Sequence, residues 1–155
     1  DLLIYTARSA TTIDAVMLLE PSSPFTRPED YNNTIEMMIK YNYDLIISVV
    51  KHKLDPKVIG VLGAKNSLDK IISKMGGNSN LNRQNMNENY TPNGCLYFFK
   101  GDHFRKHSKI YALPSKSYGY IMPEYYSVEI DEPIDLEWAR FLYNNHLVKS
   151  EYWNS

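Results

Sequence analysis

Residues 15–24 read AVMLLEPSSP, a short apolar run that ends in a polar turn containing two prolines. The apolar run does not alternate with polar positions, which is typical of a strand buried on both faces in a parallel sheet. Pro21 and Pro24 then hold the backbone in an extended, kinked form that ends the strand. The stretch therefore predicts a buried strand followed by a rigid connection into the next element.

A helix is predicted directly after this turn. Thr26 and Glu29 have the spacing of a capping box, and Pro28 falls in the first turn, where its missing N–H is harmless. An apolar stripe at helical spacing follows at Tyr31, Ile35, Met38 and Ile39. Residues 45–50, LIISVV, predict a second buried strand rich in β-branched residues. Because strand, helix and strand make a βαβ unit, we expect an α/β fold whose mostly parallel sheet is flanked by helices.

An irregular segment, residues 51–90, interrupts this pattern. Within it we expect a strand at 58–62 and a short helix at 67–75, whereas residues 76–89 are polar and rich in asparagine. We interpret the segment as an excursion from the main sheet, either a long loop or an arm. Regular patterns return as predicted strands at 94–99, 118–122 and 127–130, a helix near 102–107 and a last helix from Pro133 to about Leu147.

The composition excludes several classes of protein. Among 155 residues, 17 Lys and Arg face 18 Asp and Glu, and the net charge of −1 argues against a nucleic-acid partner, which would require a basic surplus. The longest uncharged apolar run, residues 45–50, is too short to span a membrane, and no signal peptide opens the chain. The single cysteine, Cys95, excludes an internal disulfide. We therefore expect a cytoplasmic domain without a membrane partner.

The polar turn at residues 20–24 is a candidate ligand site, because ligands of open α/β sheets bind at the carboxyl ends of strands. Ser22 and Ser23 offer hydroxyl groups near a helix N-terminus, where an anion is favoured. The same residues also suit a rigid turn with capping serines. The residues alone leave both interpretations open.

Glu129 and Asp131 lie two residues apart on a predicted strand, so both carboxylates should face the same side. Two negative charges this close repel each other unless a cation such as Mg²⁺ lies near them. A solvated strand face, with Asp131 capping the last helix, is the alternative. His103 and His107 have the spacing of a helical metal pair but are expected at the surface, and Cys95 is expected in the core.

Three segments carry a combined pattern in a fixed order. Residues 16–25 read VMLLEPSSPF, residues 83–84 and 91–97 read RQ and TPNGCLY, and residues 127–135 read SVEIDEPID. Together they resemble the motifs LLQPTSPLR, RQ followed by RPNGAIY, and SIDIDTxxD of the CMP-N-acylneuraminate synthetases. These cytidylyltransferases activate sialic acids and related nonulosonic acids. The resemblance covers residues 15–147, and CMP-Kdo synthetases share less of the pattern.

The resemblance implies a Rossmann-like fold of the nucleotide-diphospho-sugar transferase type in a single cytidylyltransferase-like domain over residues 1–155. It also implies a homodimer, in which residues 57–90 form the dimerisation arm. The reaction implied is attack by the anomeric hydroxyl of a sugar acid on the α-phosphorus of CTP, with release of pyrophosphate and with Mg²⁺ as cofactor. CTP and a sugar acid are therefore the expected partners.

The family's functional positions are expected at particular residues of this chain. Its metal carboxylates match Glu129 and Asp131, and a lysine after the second strand matches Lys57, so these three are the expected catalytic residues. The substrate-binding positions are expected at Glu20, Ser22, Arg27, Arg83, Gln84, Asn93, Tyr97 and Tyr111. In the family, the arginine that Arg83 matches reaches the partner's site, where it would pair with the sugar carboxylate.

The chain also departs from the family pattern. Glu20 replaces a glutamine, Glu129 replaces an aspartate, and Arg27 stands one residue later than the family's arginine. The family's nucleotide-binding loop, ARxxSKGxxxKN, is absent, so we expect residues 1–14 to be the remnant of a longer chain whose N-terminal part is missing. A non-catalytic member that binds a sugar acid or serves as a dimeric scaffold is one alternative, and activity on Kdo is another.

Overall fold

The computed structural model of the chain describes residues 13–54, 56, 59–75 and 88–149. The chain divides into two compact units, one made of Asp1–Val50 with Pro92–Ser155 and the other of Lys51–Thr91. The second unit has boundaries close to those of the predicted arm, residues 57–90.

Strands and helices follow one another along the described residues. In chain order they are β1 (Ala15–Leu19), α1 (Pro28–Tyr41), β2 (Leu45–His52), α2 (Asp69–Met75), β3 (Asn89–Lys100), α3 (Gly101–His107), β4 (Ser117–Ile121) and α4 (Pro133–Asn144). Three short 3-10 turns, Ala64–Asn66, Pro114–Lys116 and Glu124–Tyr126, lie between them. The α/β class predicted from the sequence is confirmed, with a four-stranded sheet flanked by helices.

The sheet is mixed, with the strand order β1-β3-β2-β4. β1 pairs antiparallel with β3, whereas β2 pairs parallel with β4. β3 also runs antiparallel to β2. The Lys100 N–H donates to the Asp44 carbonyl, whereas Ser48, which follows Asp44 in the chain, contacts Leu96, which precedes Lys100. The prediction of a mostly parallel sheet is thus only partly right, because β3 lies between β1 and β2, which both run in the opposite direction to it. Apolar strands read alike in either direction, so residues 94–99 carried no sign of this reversal.

A serine side chain joins the two central strands. The Ser48 hydroxyl accepts a hydrogen bond from the Leu96 N–H at 2.8 Å and donates one to the Leu96 carbonyl at 3.1 Å. Both residues are fully buried, so these bonds satisfy polar groups that water does not reach. The contact therefore holds β3 in register against β2 at the centre of the sheet.

The first helix, α1, begins one residue later than predicted. Arg27, rather than Thr26, has the extended backbone that precedes the helix, and the Asp30 carboxylate accepts the Arg27 backbone N–H at 2.9 Å. The predicted pairing of Thr26 with Glu29 is therefore wrong by one residue. The reason is that Asp30 also binds the Arg27 guanidinium, which fixes the helix start. Pro28 stands in the first turn as predicted.

The face that α1 buries also differs from the predicted stripe. Its buried residues are Asp30, Thr34 and Met38, spaced four apart, whereas Ile39 is 77% exposed. Thr34 needs no partner outside the helix, because its hydroxyl donates to the Tyr31 carbonyl at 2.8 Å. Two satisfied polar side chains therefore occupy positions that apolar periodicity assigns to hydrophobic residues.

The segment at residues 127–130 was predicted to be a strand and is irregular. Its alternation has another cause, since Val128 is buried in a cluster with Phe25 and Leu142, and Ile130 packs against the same cluster. The alternation thus reflects packing against α4 rather than pairing within the sheet. Residues 59–63 are likewise without regular structure, so the prediction of a strand at 58–62 is wrong for the residues of that range that the structure describes.

The last helix, α4, begins at Pro133 as predicted and ends at Asn144, earlier than the predicted Leu147. The Asp135 carboxylate accepts the Glu132 backbone N–H at 2.8 Å and so caps the start. At the other end, the Asn145 side chain donates to the Phe141 carbonyl at 2.8 Å, which satisfies an end carbonyl of the helix.

Two groups of apolar side chains form the cores of the first unit. Met38 of α1 packs against Ile46, Leu96 and Phe98 of the sheet, and the cluster around Phe25 and Leu142 lies under α4. Cys95 is buried as predicted. His103, expected at the surface, is instead buried, and its Nε2 lies 2.9 Å from the Ile110 carbonyl oxygen. Among the helices of the described residues, none is long and apolar enough to cross a membrane.

Candidate functional site

The turn that follows β1 contributes the first part of the site. Glu20 is partly buried there, and its carbonyl accepts the Ser23 N–H at 3.0 Å, which closes the turn. The Ser22 carbonyl accepts the Ile130 N–H at 2.9 Å. This bond brings the turn beside the segment that carries the two predicted metal carboxylates, Glu129 and Asp131.

The amino-terminal half of β3 contributes the second part. Asn93 is only 6% exposed, and its side-chain amide donates to the Ser127 hydroxyl at 2.9 Å. Gly94 has a φ of +73°, and a Cβ built on it would lie 2.6 Å from the Glu129 Oε1 atom. Real Cβ atoms do not approach that closely, so a side chain at position 94 would require the Glu129 carboxylate to move, and the positive φ independently favours glycine.

Glu129 is the centre of an acidic cluster made of Glu20, Glu129, Asp131 and Asp135. Partial burial raises the pKa of Glu129, and the neighbouring charges of Asp131, Glu20 and Asp135 raise it further, in that order. Glu129 nevertheless remains exposed to solvent. The structure therefore brings Glu20 close to carboxylates that lie more than a hundred residues further along the chain.

Two tyrosines lie beside this cluster. Burial raises the pKa of Tyr97, and an interaction with Tyr111 raises it further, followed by the charges of Glu129 and Glu20. Tyr111 itself is 62% exposed, so its ring is open to a bound molecule. Glu20, Tyr97 and Tyr111 were all predicted from the sequence to contact substrate, and in the structure Tyr97 interacts with Tyr111 and is within electrostatic range of Glu20 and Glu129.

Arg27 is occupied by contacts of its own. Its guanidinium forms two hydrogen bonds to Asp30, at 2.7 and 3.0 Å, and an ion pair with Glu29 at 3.1 Å. It also lies 4.1 Å from the centre of the Tyr126 ring. The hydrogen bond to Asp30 is the largest cause that raises the pKa of Arg27 above its ordinary value. These contacts give Arg27 a structural task at the start of α1.

Three further predicted residues, Lys57, Arg83 and Gln84, lie outside the described residues. Within the described part of the chain, no group of three or more His, Cys, Asp or Glu side chains is arranged to hold a metal ion. Glu129 and Asp131 nevertheless suit Mg²⁺, which usually takes one or two protein carboxylates and completes its shell with substrate phosphates and water.

The sequence-based prediction missed two residues of the site. Asp135 contributes to the charge around Glu129 while it caps α4, and Gly94 makes room for the Glu129 carboxylate. Both stand within the quoted segments, at 91–97 and 127–135, but neither was given a role. A glycine inside an apolar strand was the available signal, because it often marks a place where another group approaches the backbone closely.

An apolar cavity of about 460 Å³ lies at the opposite end of β1 from Glu20. It is lined mainly by α1 and by the ends of β1 and β3, at Asp14, Ala15, Ile35, Met38, Ile39, Asn42, Phe98, Lys100 and Asp102. None of the residues predicted to bind substrate lines it. The cavity is therefore separate from the acidic cluster.

No family model matches the chain, and no curated protein matches it either.

Proposed function

We propose that this chain belongs to a cytidylyltransferase that transfers CMP from CTP to a sialic-acid-like sugar acid, on a Rossmann-like fold. The observation that supports the proposal is the convergence of three distant segments. The turn at Glu20, the strand at Asn93 to Tyr97 and the segment at Glu129 meet at one place, although more than a hundred residues separate the first from the last. These are the segments that resemble the family.

The acidic cluster fits nucleotidyl transfer better than direct binding of an anion. Four carboxylates repel CTP and a sugar acid unless positive charge lies between them. Bound Mg²⁺ would supply that charge and reduce the charge on the triphosphate. We propose that Glu129 and Asp131 hold it, with the remaining ligands coming from phosphate oxygens and water.

In the proposed reaction, the anomeric hydroxyl oxygen of the sugar acid forms a bond to the α-phosphorus of CTP. The bond from that phosphorus to the oxygen bridging the α- and β-phosphates breaks, and pyrophosphate leaves with the bridging oxygen. Tyr97 would contact the sugar, because the charges of Glu129 and Glu20 act on its hydroxyl, and Tyr111 would do so as the tyrosine that interacts with Tyr97. Lys57, Arg83 and Gln84 would provide further polar contacts to the substrates. On this proposal the enzyme works in the cytoplasm.

A homodimer is part of the proposal, and the unit Lys51–Thr91 supports it. None of the described residues between 51 and 91 is buried. The large apolar side chains exposed there are Leu54, Ile59, Val61, Leu62, Leu68 and Ile72. Exposed apolar side chains on the described part of this unit are stabilised by a covering surface, and a second copy of the chain would supply one. We therefore propose that this unit is the dimerisation arm.

The proposal is tested by measuring pyrophosphate release from CTP and Mg²⁺ by the full-length protein. Sialic, legionaminic and pseudaminic acids and Kdo would be offered in parallel reactions. We expect turnover with at least one nonulosonic acid and little with Kdo. Turnover with Kdo alone would favour the CMP-Kdo alternative. Binding of a sugar acid by calorimetry, without any pyrophosphate release, would favour a non-catalytic member of the family.

A further inference from the structure

We propose that Asn93 and Gly94 form a positioning pair, in which Asn93 fixes the backbone segment that carries Glu129 and Gly94 leaves the space that the Glu129 carboxylate occupies beside β3. The inference assigns Asn93 to positioning rather than to contact with the sugar, and it gives Gly94 a role. The consequence of this inference for catalysis rests on the proposed function, whereas its structural part is independent of that function.

The first support is the use that the structure makes of Asn93. Its side-chain NH₂ group donates to the Ser127 hydroxyl at 2.9 Å and contacts the Met122 sulfur at 3.6 Å. Its side-chain oxygen accepts the Cys95 N–H at 3.3 Å. Since the residue is 6% exposed and both ends of its amide have partners, little of it is left to bind a substrate.

The second support is the chain of contacts that Asn93 begins. The Ser127 hydroxyl that accepts from Asn93 donates in turn to the Pro123 carbonyl at 3.0 Å. These bonds attach Ser127, which lies two residues before Glu129, to β3. On the other side of Glu129, the Ile130 N–H is held by the Ser22 carbonyl at 2.9 Å. The backbone around Glu129 is therefore fixed from two directions.

The third support is the close approach of the carboxylate to Gly94. A Cβ at position 94 would lie 2.6 Å from Glu129 Oε1 and 2.9 Å from both Cδ and Oε2. All three distances are shorter than real Cβ contacts, so a side chain at this position would require the carboxylate, the far end of an exposed and flexible side chain, to move. The glycine thus leaves open the position that the carboxylate occupies, which is where Glu129 would meet a metal ion.

A double-mutant cycle between Gly94→Ala and Glu129→Ala tests the structural part in the full-length protein. Unfolding in urea gives the equilibrium constant of each variant. The strain of a side chain at a φ of +73° is present in both backgrounds and cancels, whereas the clash exists only when Glu129 is present. We expect Gly94→Ala to lower the folding constant about threefold more in the wild-type background than in Glu129→Ala, because the exposed carboxylate has to move away from the new side chain.

Gly119→Ala is the matched control, since a Cβ there would contact Val49 at 3.3 Å and not Glu129. Its effect should be the same in both backgrounds. Equal effects of Gly94→Ala in the two backgrounds would overturn the proposal, and folding of Gly94→Ala only in the Glu129→Ala background would support it. If Gly94→Ala folds in neither background, Gly94→Asn replaces Gly94→Ala in the cycle, because asparagine tolerates a left-handed backbone.

The catalytic consequence is tested separately with Ser127→Ala, which removes the acceptor of the Asn93 amide. If the protein has the proposed activity, we expect the Mg²⁺ concentration for half-maximal rate to rise several-fold, with little change in the KM for the sugar acid, and Ser127→Thr to restore it. An unchanged Mg²⁺ requirement would overturn the positioning role. Absence of activity in the wild type would count against the proposed function alone, because the double-mutant cycle is independent of catalysis.

Discussion

The Ile130 N–H donates a hydrogen bond to the Ser22 carbonyl at 2.9 Å, and this bond joins two segments that the sequence separates by more than a hundred residues. One segment leaves β1 with Glu20, and the other carries Glu129 to the start of α4. Because the connection uses backbone atoms of both residues, it does not depend on the identity of either side chain. The bond is therefore the structural basis for considering Glu20 and Glu129 parts of one site.

Asp30 should be among the most important polar residues for stability. It is fully buried and accepts hydrogen bonds from the Arg27 guanidinium and from the Tyr120 hydroxyl, the latter at 2.9 Å. Replacing Asp30 with alanine leaves the partly buried Arg27 charge without its main partner, so we expect the free energy of unfolding to fall by about 3 kcal/mol. Tyr120→Phe should cost about 1 kcal/mol. Urea denaturation measures both.

Glu36→Gln, on the exposed side of α1, is the control for these variants and should leave the free energy of unfolding unchanged. A loss below about 1 kcal/mol in Asp30→Ala would contradict the structural role given to the pair, since breaking a buried ion pair costs several times more.

The raised pKa of Glu129 predicts a pH-dependent gain of stability in Glu129→Gln. In the unfolded chain this carboxyl has its ordinary, lower pKa, so the folded state binds the proton more tightly. The wild-type stability is therefore complete below the unfolded pKa and falls as the pH rises through the folded pKa. Glutamine avoids this loss. We expect Glu129→Gln to be more stable than the wild type at neutral pH and equally stable below the ordinary glutamate pKa.

Urea denaturation at several pH values checks this expectation. Glu137→Gln serves as the comparison, because Glu137 is exposed on α4 and bound to Arg140, outside the acidic cluster. The explanation would be wrong if Glu129→Gln were less stable than the wild type at neutral pH, or if the difference did not change with pH.

The exposed apolar side chains of residues 51–91 predict that charged substitutions there separate a dimer. Val61 is 66% exposed and Ile72 is 59% exposed, so aspartate at both positions should be tolerated by the folded monomer. We expect Val61→Asp with Ile72→Asp to halve the mass measured by sedimentation equilibrium. Ile39→Asp places the same charge on α1, where Ile39 is 77% exposed, and should leave the mass unchanged. A monomeric wild type, or a dimer that survives the double substitution, would contradict the proposal that this unit is the dimerisation arm.

Tyr97→Phe tests the contact proposed for the sugar. The substitution keeps the ring and removes the hydroxyl that interacts with Tyr111 beside Glu20 and Glu129. We expect the KM for the sugar acid to rise about tenfold with little change in kcat, as for the loss of one hydrogen bond in binding. Tyr125→Phe, at an exposed tyrosine in the turn before Ser127, should change neither constant. An unchanged KM in Tyr97→Phe would remove this residue from the substrate contacts.

Local patterns predicted most of the elements correctly. β1, β2 and α4 begin where apolar runs and Pro133 indicated, because these signals lie within a few neighbouring residues. The error at the start of α1 has a local cause, since Asp30 binds both the backbone N–H and the guanidinium of Arg27, three residues before it. The direction of β3, in contrast, depends on strands that lie far from it in the sequence.

The candidate site shows the same division between local and distant causes. The assignment of Glu20, Tyr97 and Glu129 to one site came from a resemblance and not from periodicity. The burial of Asn93 depends on Ser127 and Met122, which lie about thirty residues away, so no local pattern could reveal it. Arg27 was assigned to substrate through the family resemblance, and the fold pairs it with Asp30.

The account depends most on Glu129 and Asp131, and one measurement tests it directly. Pyrophosphate release from CTP, Mg²⁺ and the best sugar acid would be compared between the full-length wild type and Glu129→Ala with Asp131→Ala. Glu137→Ala is the control for the loss of an exposed carboxylate. We predict that the double substitution lowers the rate at least about a hundredfold while the control retains normal turnover. Ordinary turnover in the double variant, with folding verified, would contradict the proposed site.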